Sequence, residues 1–164
     1  MYVKQGENVQ ICLFENELIN YILLSLQEKP YNEIKSGEKI YEYRTRYQKV
    51  PTTAFIYVSQ TVKKITGIIE FDTPIIGTDE EISRLAESLK EGSYQGMKQY
   101  LNKGIGYAIQ VKKLIEIEPV SLQTLRERFS NLVVPQSYYL INNKKELLDF
   151  LLAQPRTNEI VFRR

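Results

Sequence analysis

Four charged residues stand close together: Lys39, Glu42, Arg44 and Arg46. The first three sit in Gly37-Glu38-Lys39-Ile40-Tyr41-Glu42-Tyr43-Arg44, a G-x-K-x-x-E-x-R pattern. Arginine presents a planar fork of donors that matches phosphate or carboxylate oxygens. Ionised glutamate only accepts hydrogen bonds, so Glu42 suits the amino or hydroxyl edge of a base or sugar. On an extended strand Glu42, Arg44 and Arg46 share one face with Ile40, and Tyr41, Tyr43, Thr45 and Tyr47 share the other. The tyrosine face is expected to pack, leaving the charged face to a cleft or to solvent. Lys39 has the wrong parity for the charged face and must reach over the strand end from the turn after Gly37. There it is a base or nucleophile, or a simple phosphate contact. The bland alternative is a solvated ion-pair network worth about 0–1 kcal/mol per pair.

Composition narrows the chemistry. The 164 residues include no histidine and one cysteine, Cys12. That removes the usual metal ligand, the usual neutral-pH proton carrier, an internal disulfide and a thiolate cluster. No metal or cofactor is expected, and catalysis would fall to Lys, Glu, Asp, Tyr, Ser or Thr. The net charge of +2 advertises no polyanionic partner, so a nucleic-acid footprint must be a local patch. Tyrosine dominates the aromatics, 12 against 6 Phe and no Trp, which suits half-buried packing or base stacking. No stretch approaches the about 20 apolar residues of a membrane span, and no signal peptide is evident, so a cytoplasmic protein with no membrane partner is expected.

The elements that position these residues follow from periodicity. Tyr21–Leu26 reads as a core strand. Lys29-Pro30 opens a short helix that buries Tyr31 and Ile34 and stops at Gly37. Strands follow at Ile40–Arg46, Ala54–Val58 and Ile65–Phe71, with Gly67 marking a bulge or close backbone approach. Thr78-Asp79-Glu80-Glu81 is a capping box before a helix carrying Ile82, Leu85, Ala86 and Leu89, which Gly92 closes. Tyr94–Asn102 is a second short helix with Met97 and Leu101 inward. Tyr107–Ile117 is the longest strand. Ser121 caps a helix with Leu122, Leu125 and Phe129 inward. Val133–Ile141, interrupted by Pro135, suits a sheet edge. Asn143 caps a last helix, Lys144–Leu152, before a strand at Glu159–Phe162. Val9, Ile11 and Leu13 alternate near Glu15 and Glu17, as an edge strand or a disordered arm. About six strands with short helices between them predict one α+β domain, mostly antiparallel, with a curled or closed sheet.

Several of these segments together resemble the ASCH family, a branch of the PUA-like superfamily. They are Leu23–Leu26 with Lys29-Pro30; Gly37, Lys39, Glu42 and Arg44; Ile56–Ser59; Ile65–Phe71; Lys103–Ile109; and Val134–Tyr139. The resemblance covers roughly residues 22–141, leaving 1–20 and 142–164 as additions. It implies a PUA-like, mixed and mostly antiparallel β-pseudobarrel with a cleft between the first helix and the sheet, lined by the G-x-K-x-x-E-x-R element. It further implies binding of RNA or a nucleotide-like ligand, in transcription or translation coregulation. One branch similar in motif hydrolyses acetylated cytidine with a Lys, a Thr and a Glu, and another member looks like a ribonuclease. The alternative is therefore a metal-independent hydrolase of an acylated nucleoside or of RNA, with Lys39 as base or nucleophile and Glu42 as proton carrier. The threonine of that branch is Glu42 here, and Thr45 is the nearest following hydroxyl. The resemblance puts the strand end at Tyr57 and Ser59 against the cleft, with Ser59 a candidate backbone or hydroxyl contact and Tyr57 either a contact or core packing. Gln136, Ser137 and Tyr138 are candidate contacts on its opposite wall. Gly104-Ile105-Gly106 leads into a strand and is not a dinucleotide motif. The pairs Arg126, Arg128 and Lys144, Lys145 read as solvated helix surface or as an auxiliary phosphate track.

Overall fold

A computed structural model describes residues 19–163. The alternation at Val9, Ile11 and Leu13, the neighbouring Glu15 and Glu17, and Cys12 lie outside the described residues. The elements run β1 (Asn20–Leu26), α1 (Glu28–Lys35), β2 (Tyr41–Arg44), β3 (Thr52–Val58), β4 (Lys64–Phe71) and β5 (Ile75–Thr78). They continue with α2 (Asp79–Leu89), α3 (Tyr94–Leu101), β6 (Ile105–Ser121), α4 (Leu122–Arg128), β7 (Tyr138–Leu140), α5 (Lys145–Leu152) and β8 (Arg156–Val161).

The strands form one sheet in the order β2-β6-β4-β3-β1-β7, with β5 and β8 also paired to β6. All pairs are antiparallel except β1 with β3. The 17-residue β6 serves two neighbourhoods. Its first part pairs with β2 and β5, and its later part with β4 and β8. Register shifts between Ile65 and Gly67 and between Glu70 and Phe71 add the local twist that bulges bring, so the sheet curls. The result is the mixed α+β pseudobarrel expected. Gly67 is required at its position: a Cβ there would stand 2.7 Å from Tyr31 Oη and 3.1 Å from the Ile115 carbonyl oxygen.

β1 and β3 are apolar on both faces because both faces are covered. Ile22, Leu24, Ala54, Ile56, Phe71 and Leu114 pack inside the curl with Tyr31 and Ile34 of α1. Leu23, Phe55, Tyr57 and Ile115 form the second layer, closed by Leu125 of α4 and Leu147 and Leu151 of α5. A small third cluster sets Tyr41 and Ala108 under Ile82 of α2 and Leu101 of α3.

Local signals set most boundaries. Gly37 has φ +80° and ends α1 as expected. Thr78 and Glu81 form the capping box at α2, and Ser121 accepts from Thr124 N at α4. Four expectations need correction. Among the described residues eight strands form instead of about six, β5, next to the capping box, being one that pairs with β6. β7 shrinks to three residues, at the end of the order where Pro135 led us to expect an edge. The N-cap position of α5 falls on Lys144, not Asn143, and no side chain caps the helix. The neighbouring Asn142 side chain accepts from Tyr21 N and donates to the Ile19 carbonyl, tying the chain to β1. Finally, β2 ends at Arg44, so the alternation stops before Thr45, Arg46 and Tyr47.

Candidate functional site

The two ends of the strand order, β2 and the approach to β7, meet at Arg44. Its Nε donates to Glu42 Oε1 at 3.1 Å. Its Nη1 donates to Ser137 Oγ at 3.1 Å, and its Nη2 donates to the Ser25 carbonyl of β1 at 3.1 Å. Ser25 is itself fixed to the same loop: its N donates to the Ser137 carbonyl at 3.0 Å and its Oγ to the Pro135 carbonyl at 2.6 Å. One guanidinium thus joins β2, β1 and the loop before β7, and the pseudobarrel closes there. Arg44 was expected to face a ligand; its three nitrogens face the protein.

Glu42 is the unusual member. Only 7% of its surface is exposed, so the solvated network is not what forms. A buried carboxylate is costly unless paired. Arg44 satisfies Oε1. The Lys39 ammonium stands 3.5 Å from Oε2, yet Oε2 makes no hydrogen bond. Lys39 arrives as expected, from the turn after Gly37, where its N donates to the Glu33 carbonyl at 3.0 Å. Its Nζ also lies over the Tyr43 ring, 5.2 Å from the centroid. Two cations on one carboxylate leave this cluster with one excess positive charge.

The tyrosines divide differently from the expected alternation. Tyr41 and Tyr43 stack at 6.3 Å on the outer face of β2. Burial, aided by Tyr41 and Glu42, pushes the Tyr43 phenol up to about 12. Tyr47, beyond the strand end, turns inward. It shares a 2.6 Å hydrogen bond with Thr52 Oγ1 and packs against Phe71 and Tyr138. Burial raises its phenol well above the ordinary tyrosine range, an effect partly offset by Thr52 and Arg44.

The remaining expected residues do not join this cluster. Arg46 is exposed in the bend after β2 and makes none of these contacts. Tyr57 packs in the second core layer, toward Arg126. Ser59 donates through N and Oγ to the Leu26 carbonyl, at 2.9 and 3.3 Å, and so fastens β3 to β1. Gln136 is exposed, and Arg44 selects its neighbour Ser137. Ser25 carried no expected role; its signal was a single polar residue in the apolar run Leu23-Leu24-Ser25-Leu26. Thr45 is exposed past the strand end and brings no hydroxyl to Lys39.

Beside Lys39 lies a cleft of about 370 Å³ between β2 and the α2–α3 pair. Lys39, Tyr41 and Tyr43 form one wall, and Leu89, Lys90 and Met97 the other. Lys90 pairs with Glu38 at 3.7 Å. This volume suits a ligand the size of a nucleoside. Among the described residues, no three His, Cys, Asp or Glu side chains are grouped to hold a metal ion. No helix among them is long and apolar enough to cross a membrane.

No protein-family model matches the sequence, and no curated protein matches it. Solved structures do match. An ASCH protein from Zymomonas mobilis superposes with TM-score 0.70 at 21% identity, covering 84% of this chain and 98% of that one. Its serine-to-alanine variant gives 0.68 at 22% identity, covering 82% and 96%. Its tyrosine-to-phenylalanine variant gives 0.69 at 21% identity, covering 82% and 98%. The chain has the ASCH-domain fold.

Proposed function

We propose that the protein binds RNA or a nucleotide-like ligand at the Lys39 end of β2, as a nucleic-acid-binding module acting in transcription or translation. The observation that carries this reading is Glu42 Oε2, a buried acceptor without a hydrogen bond beside a half-sheltered ammonium. Buried polar atoms are rarely left without a hydrogen bond, and Oε2 has only the Lys39 ammonium at 3.5 Å, on a strand whose neighbouring side chains line the cleft, so there is call for a further donor. A base amino group or a sugar hydroxyl supplies that donor, and Lys39 supplies the charge for a phosphate. Ser137, exposed and accepting from Arg44, keeps its own proton for the ligand. Tyr43 lines the cleft and adds aromatic surface beside Lys39 for a base. Arg44 acts in this reading by holding Glu42 and Ser137 in place.

The test is fluorescence anisotropy of a labelled single-stranded RNA at low salt, with a mononucleotide as competitor. Affinity is expected to fall steeply with salt and to drop about tenfold, the effect of about 1.4 kcal/mol, in Lys39→Ala, with circular dichroism confirming that the variant is folded at the assay temperature. Absence of RNA affinity at low salt removes the polymer version, and unchanged affinity in Lys39→Ala removes this site.

A second reading is a metal-independent hydrolase of an acylated nucleoside or of RNA. It is favoured by the 3.5 Å approach of Lys39 Nζ to Glu42 Oε2, a contact within reach of proton transfer on small movement. Exposed Thr45 weakens it, because no threonine hydroxyl stands beside Lys39. Turnover of N4-acetylcytidine that disappears in Lys39→Ala would establish it; turnover that persists would remove Lys39 from the chemistry.

A further inference from the structure

Away from β2 the fold gathers a second set of cations. Arg128, at the last turn of α4, and Lys144 and Lys145, at the start of α5, line one basin of about 450 Å³. Arg128 lies 16 or more residues from the two lysines in sequence, and only the packing of both helices on the second core layer brings them together. Among the described residues none of the three has a carboxylate partner, whereas Lys35, Lys39 and Arg44 each do. Glu146 is the one acidic side chain of the lining, so the basin carries a local excess of two positive charges, three cations less one carboxylate. The whole chain carries the same net charge of +2, so the excess is a concentration and not a share of a uniform field.

Two of the cations are held in position by rings. The Arg128 guanidinium lies 4.6 Å from the centroid of Phe150, and Phe150 is fixed edge-on by Phe129 at 5.6 Å. Lys144 Nζ lies 5.7 Å from the centroid of Tyr139, whose hydroxyl donates to the Val133 carbonyl at 2.6 Å. Stacking restrains these side chains without neutralising them, which is the arrangement that awaits an anion. Ser130 and Asn131 add neutral polar groups to the wall. No side chain caps α5, so its first turn adds uncapped N–H groups to the same space.

We propose that this basin binds a phosphate group. Arg128 supplies a fork for two oxygens, Lys144 and Lys145 supply point charges, and the start of α5 supplies backbone donors. A carboxylate offers two coplanar oxygens, whereas a phosphate monoester offers three in a tetrahedral spread and a diester two out of the plane of its ester links, geometries that the fork, the point charges and the backbone donors can approach from several sides. The volume leaves room for an attached sugar. The site is independent of the one on β2. In β7, Tyr138 faces Tyr47 and the inner core, while Tyr139 faces the basin, so the two sites lie on opposite faces of that strand.

The experiment is a series of ¹H–¹⁵N titrations of the full chain at constant ionic strength, with inorganic phosphate, adenosine monophosphate and a 12-nucleotide single-stranded RNA, against a chloride control. Saturable shifts are expected at the amides of Ser130, Asn131, Lys145, Glu146 and Leu147. They should weaken at least tenfold in Arg128→Ala/Lys144→Ala/Lys145→Ala, strengthen two- to threefold in Glu146→Gln, and persist in Lys39→Ala. RNA binding at least tenfold tighter than the monophosphate identifies a backbone phosphate; comparable affinities identify a free phosphorylated molecule. Shifts no larger than those in chloride, shifts that survive the triple variant, or shifts abolished by Lys39→Ala would each overturn the proposal. Phosphate binding here without RNA binding anywhere leaves this site standing and removes the polymer version of the reading on β2.

Discussion

Both charged regions of this molecule contain cations beside aromatic rings, yet they are built in opposite ways. At the barrel closure the charge is enclosed and compensated. Arg44 spends three nitrogens on Glu42, Ser137 and the Ser25 carbonyl, and Glu42 is almost fully buried. In the basin between α4 and α5 the cations are exposed and uncompensated, leaning only on Phe150 and Tyr139. The difference follows from desolvation. A buried charge must find partners within the protein, so the first cluster is part of the fold. An exposed charge keeps its water, so the second costs the fold little and remains available. Within the closure, Glu42 Oε2 has an ion pair but no hydrogen bond, and the Lys39 side chain is partly exposed; the proposed ligand would meet the protein there.

Substitutions divide the two regions by their effect on stability. Arg44→Ala removes the bridge from β2 to β1 and β7 and strips Glu42 of its hydrogen-bonded partner. Breaking a buried pair costs about 3–5 kcal/mol, or a fall in melting temperature of at least about 6 °C, as calorimetry would read. A loss below 1 kcal/mol would mean that the closure is not held by this residue. Tyr47→Phe keeps the ring packing against Phe71 and Tyr138 but leaves Thr52 Oγ1 without its partner. Chemical denaturation should register about 1–2 kcal/mol.

A weaker ion pair gives a pH-dependent version of the comparison. Lys35 and Glu116 join α1 to β6 at 2.7 Å, at a partly exposed position. The bond from Lys35, helped by Asn158, holds the Glu116 carboxyl below its usual range. Its stabilisation is therefore present above the ordinary carboxylate value and lost as pH falls through the depressed one. Exposure limits it to a few tenths up to about 1 kcal/mol. Urea unfolding of Glu116→Gln should show that deficit at pH 7, and the deficit should shrink as pH falls below the ordinary carboxylate range. The smallest effect belongs to the basin. Each alanine substitution at Lys144 or Lys145 should change stability by no more than about 0.5 kcal/mol, because no hydrogen bond or ion pair is lost.

How far the sequence carried depended on how local each determinant is. Gly37, Gly67 and the Thr78–Glu81 box act on their own neighbours, and each was legible. The long β6 was legible from its alternation, though its full extent to Ser121 was not. Arg44 was legible as important but not in its role, because its partners lie 93 residues away at Ser137 and 19 away at Ser25. No local pattern encodes such a contact. Arg46 and Tyr47 were assigned faces by continuing the period of two past Arg44, where the strand has ended. Tyr57 and Ser59 stand on the strand expected, but Tyr57 packs on its other side and Ser59 is bound to the Leu26 carbonyl. The pairing of Arg128 with Lys144 and Lys145 needed the tertiary packing of two helices, and sequence could offer them only as separate charged pairs.

The central claim is that Glu42 Oε2 accepts a hydrogen bond from a bound nucleotide. The most direct measurement is the ¹³C resonance of the Glu42 side-chain carboxylate, assigned by its disappearance in Glu42→Gln and followed as single-stranded RNA is added. The account predicts a saturable shift with the same midpoint as the anisotropy curve, the midpoint moving about tenfold higher in Lys39→Ala. RNA that binds while the Glu42 carboxylate stays unmoved would contradict it.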